Sequence, residues 1–203
     1  MEPETSRTAF HVTGYSRARF IYCRADNAEV GFLSQKHATA VLQNCCADTC
    51  DYGAAAVEKA TMEVEGNNFF LDGKVAGLTA YLDSVVSVNP WDEHPSDYCT
   101  LEIRTTATAL RRNYAAILVK LRSTVAVSGT GDEALHPGVA IVKIIKEDPT
   151  LQGTYYGIKL ESKSLFSGAA NVIFKEADTN DGKDTVPDLQ QFSQDDEDTL
   201  FVD

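Results

Sequence analysis

Between Ile103 and Leu121 the residues Ile103, Ala107, Leu110, Tyr114, Ile117 and Leu121 recur at 4-3-4-3-4 spacing. An α-helix turns once in about 3.6 residues, so this spacing collects all six on one stripe. A stripe of nearly three heptads has to be buried against something, which makes it the strongest constraint on how the chain folds. The pattern predicts a helix capped by Ser96 or Asp97 after Pro95. On another face Arg104, Arg111 and Arg122 differ by 7 and 11 residues, which brings them within about 20° of one another on such a helix. The element is expected to bury one stripe and present a basic one.

Three shorter helices are expected before it. Ser34 can cap the first, which carries Ala38, Val41, Leu42, Cys45 and Cys46 on one face. The second starts near Asp48 or Asp51, runs through Ala54, Val57, Thr61 and Val64, and stops at Gly66-Asn67-Asn68. The third spans about Gly73 to Val88, with Val75, Leu78, Leu82 and Val85 in helical spacing, and ends at Asn89-Pro90. Strand signals flank this centre. Phe10 to Val12 and Arg17 to Arg24 read as two short strands around Gly14-Tyr15-Ser16. Val139 to Lys146, Tyr156 to Glu161 and Asn171 to Lys175 read as three more. No internal repeat is visible, and the βαβ alternation of a dinucleotide fold is missing. The expected fold is therefore α+β: about four helices flanked by short N-terminal and C-terminal strands that share a sheet. One globular domain covers residues 1–177, and residues 178–203 form an acidic tail.

That tail dominates the charge. From Glu176 to Asp203 there are ten acidic residues and one basic, Lys183, so this stretch carries −9 of the formal −12. The rest of the chain is nearly neutral, at −3. The run Asp195, Asp196, Glu197, Asp198 is followed after Thr199 by Leu200, Phe201 and Val202. Acids next to a few apolar anchors suit docking on a basic, grooved partner, and the stripe Arg104, Arg111 and Arg122 is the best such surface in this chain. No apolar run approaches the roughly 18 residues of a membrane helix, and the N-terminus does not read as a secretory signal. Five cysteines cannot all pair within one chain, which fits a reducing compartment, the cytoplasm or the inside of an assembled particle.

Catalytic motifs are absent from the sequence. Cys45, Cys46 and Cys50, with His37 upstream, are the densest soft-ligand cluster, but their spacing matches no zinc module and core packing is the expected role. The same region is where a small enzyme or a covalent cofactor carrier would place its chemistry. His94 lies in the polar loop Asp92-Glu93-His94-Pro95, and Asp178 to Asp184 lacks the first oxygen ligand of a calcium loop. Neither a metal nor a cofactor is expected. Arg17, Arg19 and Arg24 interleave with Tyr15, Phe20 and Tyr22, a mixture that single-strand nucleic-acid binders use.

These features point first to a non-enzymatic assembly subunit of a larger complex, for instance a virus-like particle, contacting copies of itself or other subunits through its termini. The alternatives are a single-stranded nucleic-acid-binding protein with a partner-recruiting acidic tail, and the small enzyme or carrier just described.

Overall fold

The computed structural model describes residues 7–90, 99–105, 114–128, 140–146, 155–168, 171–176, 190–194 and 200–202. Strands follow one another in threes. The first three are β1 (Thr8–Thr13), β2 (Arg17–Ile21) and β3 (Arg24–Asp26), and the next three β4 (Val30–Gln35), β5 (Thr39–Gln43) and β6 (Cys46–Asp48). The third set is β7 (Tyr52–Val57), β8 (Thr61–Glu65) and β9 (Asn67–Leu71). The fourth is β10 (Ala76–Tyr81), β11 (Val85–Asn89) and β12 (Cys99–Thr105). Then come β13 (Tyr114–Lys120), β14 (Thr124–Val127) and β15 (Ala140–Lys146), and β16 (Tyr155–Glu161), β17 (Leu165–Ser167) and β18 (Val172–Glu176). β19 (Gln190–Gln194) and β20 (Leu200–Val202) close the series.

Each strand pairs in parallel with the strand three places along. The result is three sheets: A, in the order β1-β4-β7-β10-β13-β16-β19; B, β2-β5-β8-β11-β14-β17-β20; and C, β3-β6-β9-β12-β15-β18. The chain therefore winds as a parallel β-helix, a solenoid in which each coil contributes one strand to each sheet.

This overturns the expected α+β fold. Among the described residues there is no α-helix, and the stretches read as helices around 34–46, 48–64 and 73–88 are strands and corners. The apolar seam dissolves as well. Ile103 lies on β12 in sheet C and Ile117 on β13 in sheet A, while Leu121 sits at a corner with φ 53°. Ala107 and Leu110 lie outside the described residues.

A repeat is also present. Phe10, Phe32, Ala54, Leu78, Ile117 and Ile158 occupy one register position, 22, 22, 24, 39 and 41 residues apart. The first three coils are nearly regular, whereas the later ones carry long insertions that hide the period. Inside the solenoid, columns of apolar side chains stack from coil to coil. Sheet B contributes Phe20, Leu42, Val64, Val88 and Val127, and sheet C Ala25, Ala47, Phe70, Ile103 and Ile144. These residues belong to, or pack against, one continuous core. Phe10, Phe20 and Phe32 cluster at its beginning, with Phe10 and Phe32 stacked at 4.9 Å.

Sheet A is apolar on both faces. Ala116 and Ile117 join the inner core, while their neighbours Ala115 and Leu118 join an outer cluster with Val30, Leu33, Tyr52, Ala55, Val57 and Ala76. Two successive residues thus face inward at one position of the second to fifth coils, as in a bulge. Small residues stand at the first of the two: Gly31, Gly53, Gly77 and Ala116. A Cβ on Gly53 would lie 2.5 Å from the Gly77 carbonyl oxygen and 2.9 Å from Phe70 Cβ.

Between sheets A and B the chain turns through two consecutive left-handed residues. These are Lys36 and His37, Glu58 and Lys59, Leu82 and Asp83, Leu121 and Arg122, and Ser162 and Lys163. A left-handed residue costs roughly 1–2 kcal/mol when it is not glycine. Stacking offsets that cost, because the N–H groups of Lys36, His37, Glu58 and Lys59 donate to carbonyls of the next coil. Ser84 Oγ accepts the Ala60 N–H and donates to the Tyr81 carbonyl, while Ser123 Oγ accepts the Ser84 N–H. Small hydroxyl side chains thereby replace backbone partners where the coils bend. Among the described residues, no helix is long and apolar enough to cross a membrane.

Candidate partner-binding surface

The first coil stands at one end of the strand order of each sheet among the described residues. Among the described residues, β1, β2 and β3 each have a neighbouring strand on one side only. An edge strand exposes half of its backbone donors and acceptors and is a template for another strand. Here three edges lie at the same end. The same coil carries exposed apolar groups: Tyr15 at 90%, Tyr22 at 76% and Ile21 at 47% of full exposure. Phe10 and Phe20 point inward yet stay half-buried. Tyr15 stacks on His37 of the second coil, with ring centroids 5.2 Å apart and planes nearly parallel.

Its arginines are tied to the body. Arg17 reaches Glu63 at 3.3 Å and Arg19 reaches Glu65 at 3.7 Å. Both pairs join the first coil to the third, a span of roughly 9–10 Å across the intervening strand. They pass over β5, where Val41 and Gln43 are only 1% exposed although they lie in register with the outward Arg19 and Ile21. Gln43 Nε2 donates to Glu65 Oε2 at 2.7 Å. Arg24 bridges Asp26 at 2.8 Å and Asp48 at 2.9 Å. Arg17, Arg19 and Phe20 stand on β2, Arg24 on β3 and Tyr22 at the corner between them, so the single strand expected from Arg17 to Arg24 is two strands in different sheets. The three guanidiniums have carboxylate partners inside the chain, which lends no support to a phosphate-tracking groove.

The arginine stripe does not exist as a unit. Arg104 lies on β12 and bonds Glu102 at 2.7 Å. Arg122 lies at a corner between sheets A and B and forks onto Asp83 at 2.7 and 2.9 Å. That hydrogen-bonded fork holds the Asp83 carboxyl below its ordinary range. Arg111 falls outside the described residues. So do Asp195, Asp196, Glu197 and Asp198, His94 and the 178–184 run. Leu200, Phe201 and Val202 form β20, whose backbone pairs with Leu165, Phe166 and Ser167 of this same chain.

Cys45 and Cys50 sit at the corners on either side of β6, and Cys46 lies on β6 itself. The Cys45 thiol faces the carbonyls of Phe20 and Gln43 at 3.3 and 3.4 Å, and the Cys50 thiol those of Ala25 and Asp48 at 3.8 and 3.5 Å. Burial pushes the Cys45 thiol up to about 11 and raises Cys46 and Cys50 too. Three thiols separated in this way do not converge. Among the described residues, no group of three or more His, Cys, Asp or Glu is placed to hold a metal ion.

Glu63, Glu65 and Asp48 were not singled out by the sequence. Their signal is the coil period, since Arg19 and Glu63 stand two coils, 44 residues, apart in one register column. Comparison with protein-family models, curated proteins and solved structures finds no match to this chain.

Proposed function

We propose that the chain is a non-enzymatic structural subunit that assembles with copies of itself through the first coil of its solenoid. The carrying observation is the coincidence at that coil of three edge strands with exposed Tyr15, Ile21 and Tyr22. A β-solenoid is a stack in which each coil is stabilised by its neighbours, so a coil that has a neighbour on one side only among the described residues is a natural place for a partner to add. Charge supports the same reading. The acidic run Asp195 to Asp198 precedes β20 at the other end of the strand order, whereas Arg17 and Arg24 stand at this one, both well exposed. Acid in excess near the C-terminus and exposed arginines in the first coil favour association that weakens with salt.

Light scattering on size-separated protein, over a range of concentrations and at low and high salt, tests this. Mass should rise with concentration and fall with salt, and Ile21→Lys should reduce association while far-UV circular dichroism stays unchanged. A wild-type protein that remains monomeric throughout would overturn the proposal, as would association untouched by Ile21→Lys.

A further inference from the structure

The geometry points to Cys23 and Cys45 as a disulfide-forming pair that can tie the first coil to the second when the protein meets an oxidised low-molecular-weight thiol. Both follow the single left-handed residue of the corner between sheets B and C, Tyr22 in one coil and Asn44 in the next, each with φ 53°. The Tyr22 N–H donates to the Gln43 carbonyl at 3.0 Å and the Cys46 N–H to the Cys23 carbonyl at 2.9 Å. With Ile21 opposite Gln43 and Arg24 opposite Cys46, the two cysteines face each other one strand spacing apart. That spacing, about 4.8 Å, lies within the roughly 4.4–6.8 Å between Cα atoms that a disulfide requires.

The sulfurs point to the same side. The Cys23 thiol lies 3.5 Å from the Ile21 carbonyl and the Cys45 thiol 3.4 Å from that of Gln43, in each case two residues before and at one register position. Behind burial, the nearby Cys23 thiol also helps to raise the Cys45 pKa. The other cysteines are placed differently. Cys46 shares its register position with Arg24, and Cys50 occupies the far corner, where it faces the Ala25 carbonyl.

The half-buried Cys23 is the entry point. Its thiolate attacks one sulfur of glutathione disulfide, the S–S bond of that molecule breaks, and one glutathione thiolate leaves. Cys45 then loses its proton, and its thiolate attacks the Cys23 sulfur, displacing the second glutathione. Two protein thiols are oxidised and one glutathione disulfide is reduced to two thiols. The second step depends on the thiolate fraction of a buried group, so it accelerates as pH rises.

The test treats full-length protein with glutathione disulfide at neutral and alkaline pH, followed by intact mass measurement and non-reducing peptide mapping. The expected product is lighter by two hydrogens, with Cys23 linked to the Cys45–Cys46 peptide, and it forms faster at alkaline pH. Cys46→Ala should leave the link in place, and Cys23→Ala should abolish it. Cys45→Ala should stop the reaction at a glutathione adduct on Cys23. An adduct that persists in the wild-type protein at alkaline pH would overturn the pair, and so would a link lost in Cys46→Ala. Because Cys23 lies in the first coil beside Ile21 and Tyr22, the reaction is run at a dilution where light scattering gives the monomer mass, and the inference then fails or stands apart from the proposed function.

Discussion

Gly53 shows how tightly single residues constrain this fold. Its hydrogen atoms occupy a position where sheet A packs directly against sheet C, and the atoms a side chain would meet are the Gly77 carbonyl and Phe70 Cβ, neither of which can swing away. Overpacking of this kind costs roughly 1–3 kcal/mol or more. Gly53→Ala is therefore expected to lower the urea midpoint clearly, while Gly14→Ala, whose Cβ would meet nothing within 4 Å, keeps the core and bears only the strain of φ +74°. Equal losses at the two sites would refute the close-approach argument. The sequence shows Gly31, Gly53 and Gly77, but nothing local distinguishes a glycine that permits contact from one that permits a turn.

At the scale of the element, β7 explains why the helical reading failed. Tyr52-Gly-Ala-Ala-Ala-Val contains three alanines in a row, the residue with the highest helix propensity, and is buried at every position. A strand covered on both faces loses the period-two alternation by which strands are recognised, and pairing with β4 and β10 overrides local preference. The strands that were legible beforehand, β1, β2, β15, β16 and β18, lie where β-branched and aromatic residues concentrate or where alternation survives. β16 also carries a charge cluster whose pH dependence can be stated. Burial alone would raise the pKa of Glu161, but hydrogen bonds from Lys120 Nζ at 2.5 Å and Lys159 Nζ at 2.6 Å outweigh it, and the net shift is downward. A carboxyl with a lower pKa folded than unfolded stabilises above the unfolded value, near 4.3, and loses that contribution as pH falls through the folded one. Between neutral pH and about pH 3 the wild-type protein should thus lose more stability than Glu161→Gln, as read from urea midpoints at each pH. Parallel pH profiles would show that the lysines do not hold the carboxylate.

The whole molecule is a one-dimensional stack, and its stability should follow position in the stack. Strands β4, β7 and β10 are paired on both sides, whereas β1 is paired on one among the described residues. Hydrogen exchange followed by mass spectrometry should find the slowest amides in the second to fourth coils and faster exchange in the first. Uniform protection from β1 to β10 would mean that the ends are sealed by something the stack does not contain. Association through the first coil predicts that its amides slow as protein concentration rises. By itself the sequence determined the charge partition, the separation of near-neutral body from acidic C-terminal stretch, and the strand character of segments rich in β-branched residues. These are properties of composition and of nearest neighbours. Only the tertiary structure decided that Ala38, Ala54, Leu78 and Ile117 belong to strands and corners of a solenoid, and that Arg19 meets Glu65 two coils later. The reason is physical. A coil cannot bury its apolar face alone, so its conformation is fixed by hydrogen bonds and packing to residues 22 or more positions away. Where insertions stretch that interval to 39 and 41 residues, no local pattern in the chain records it.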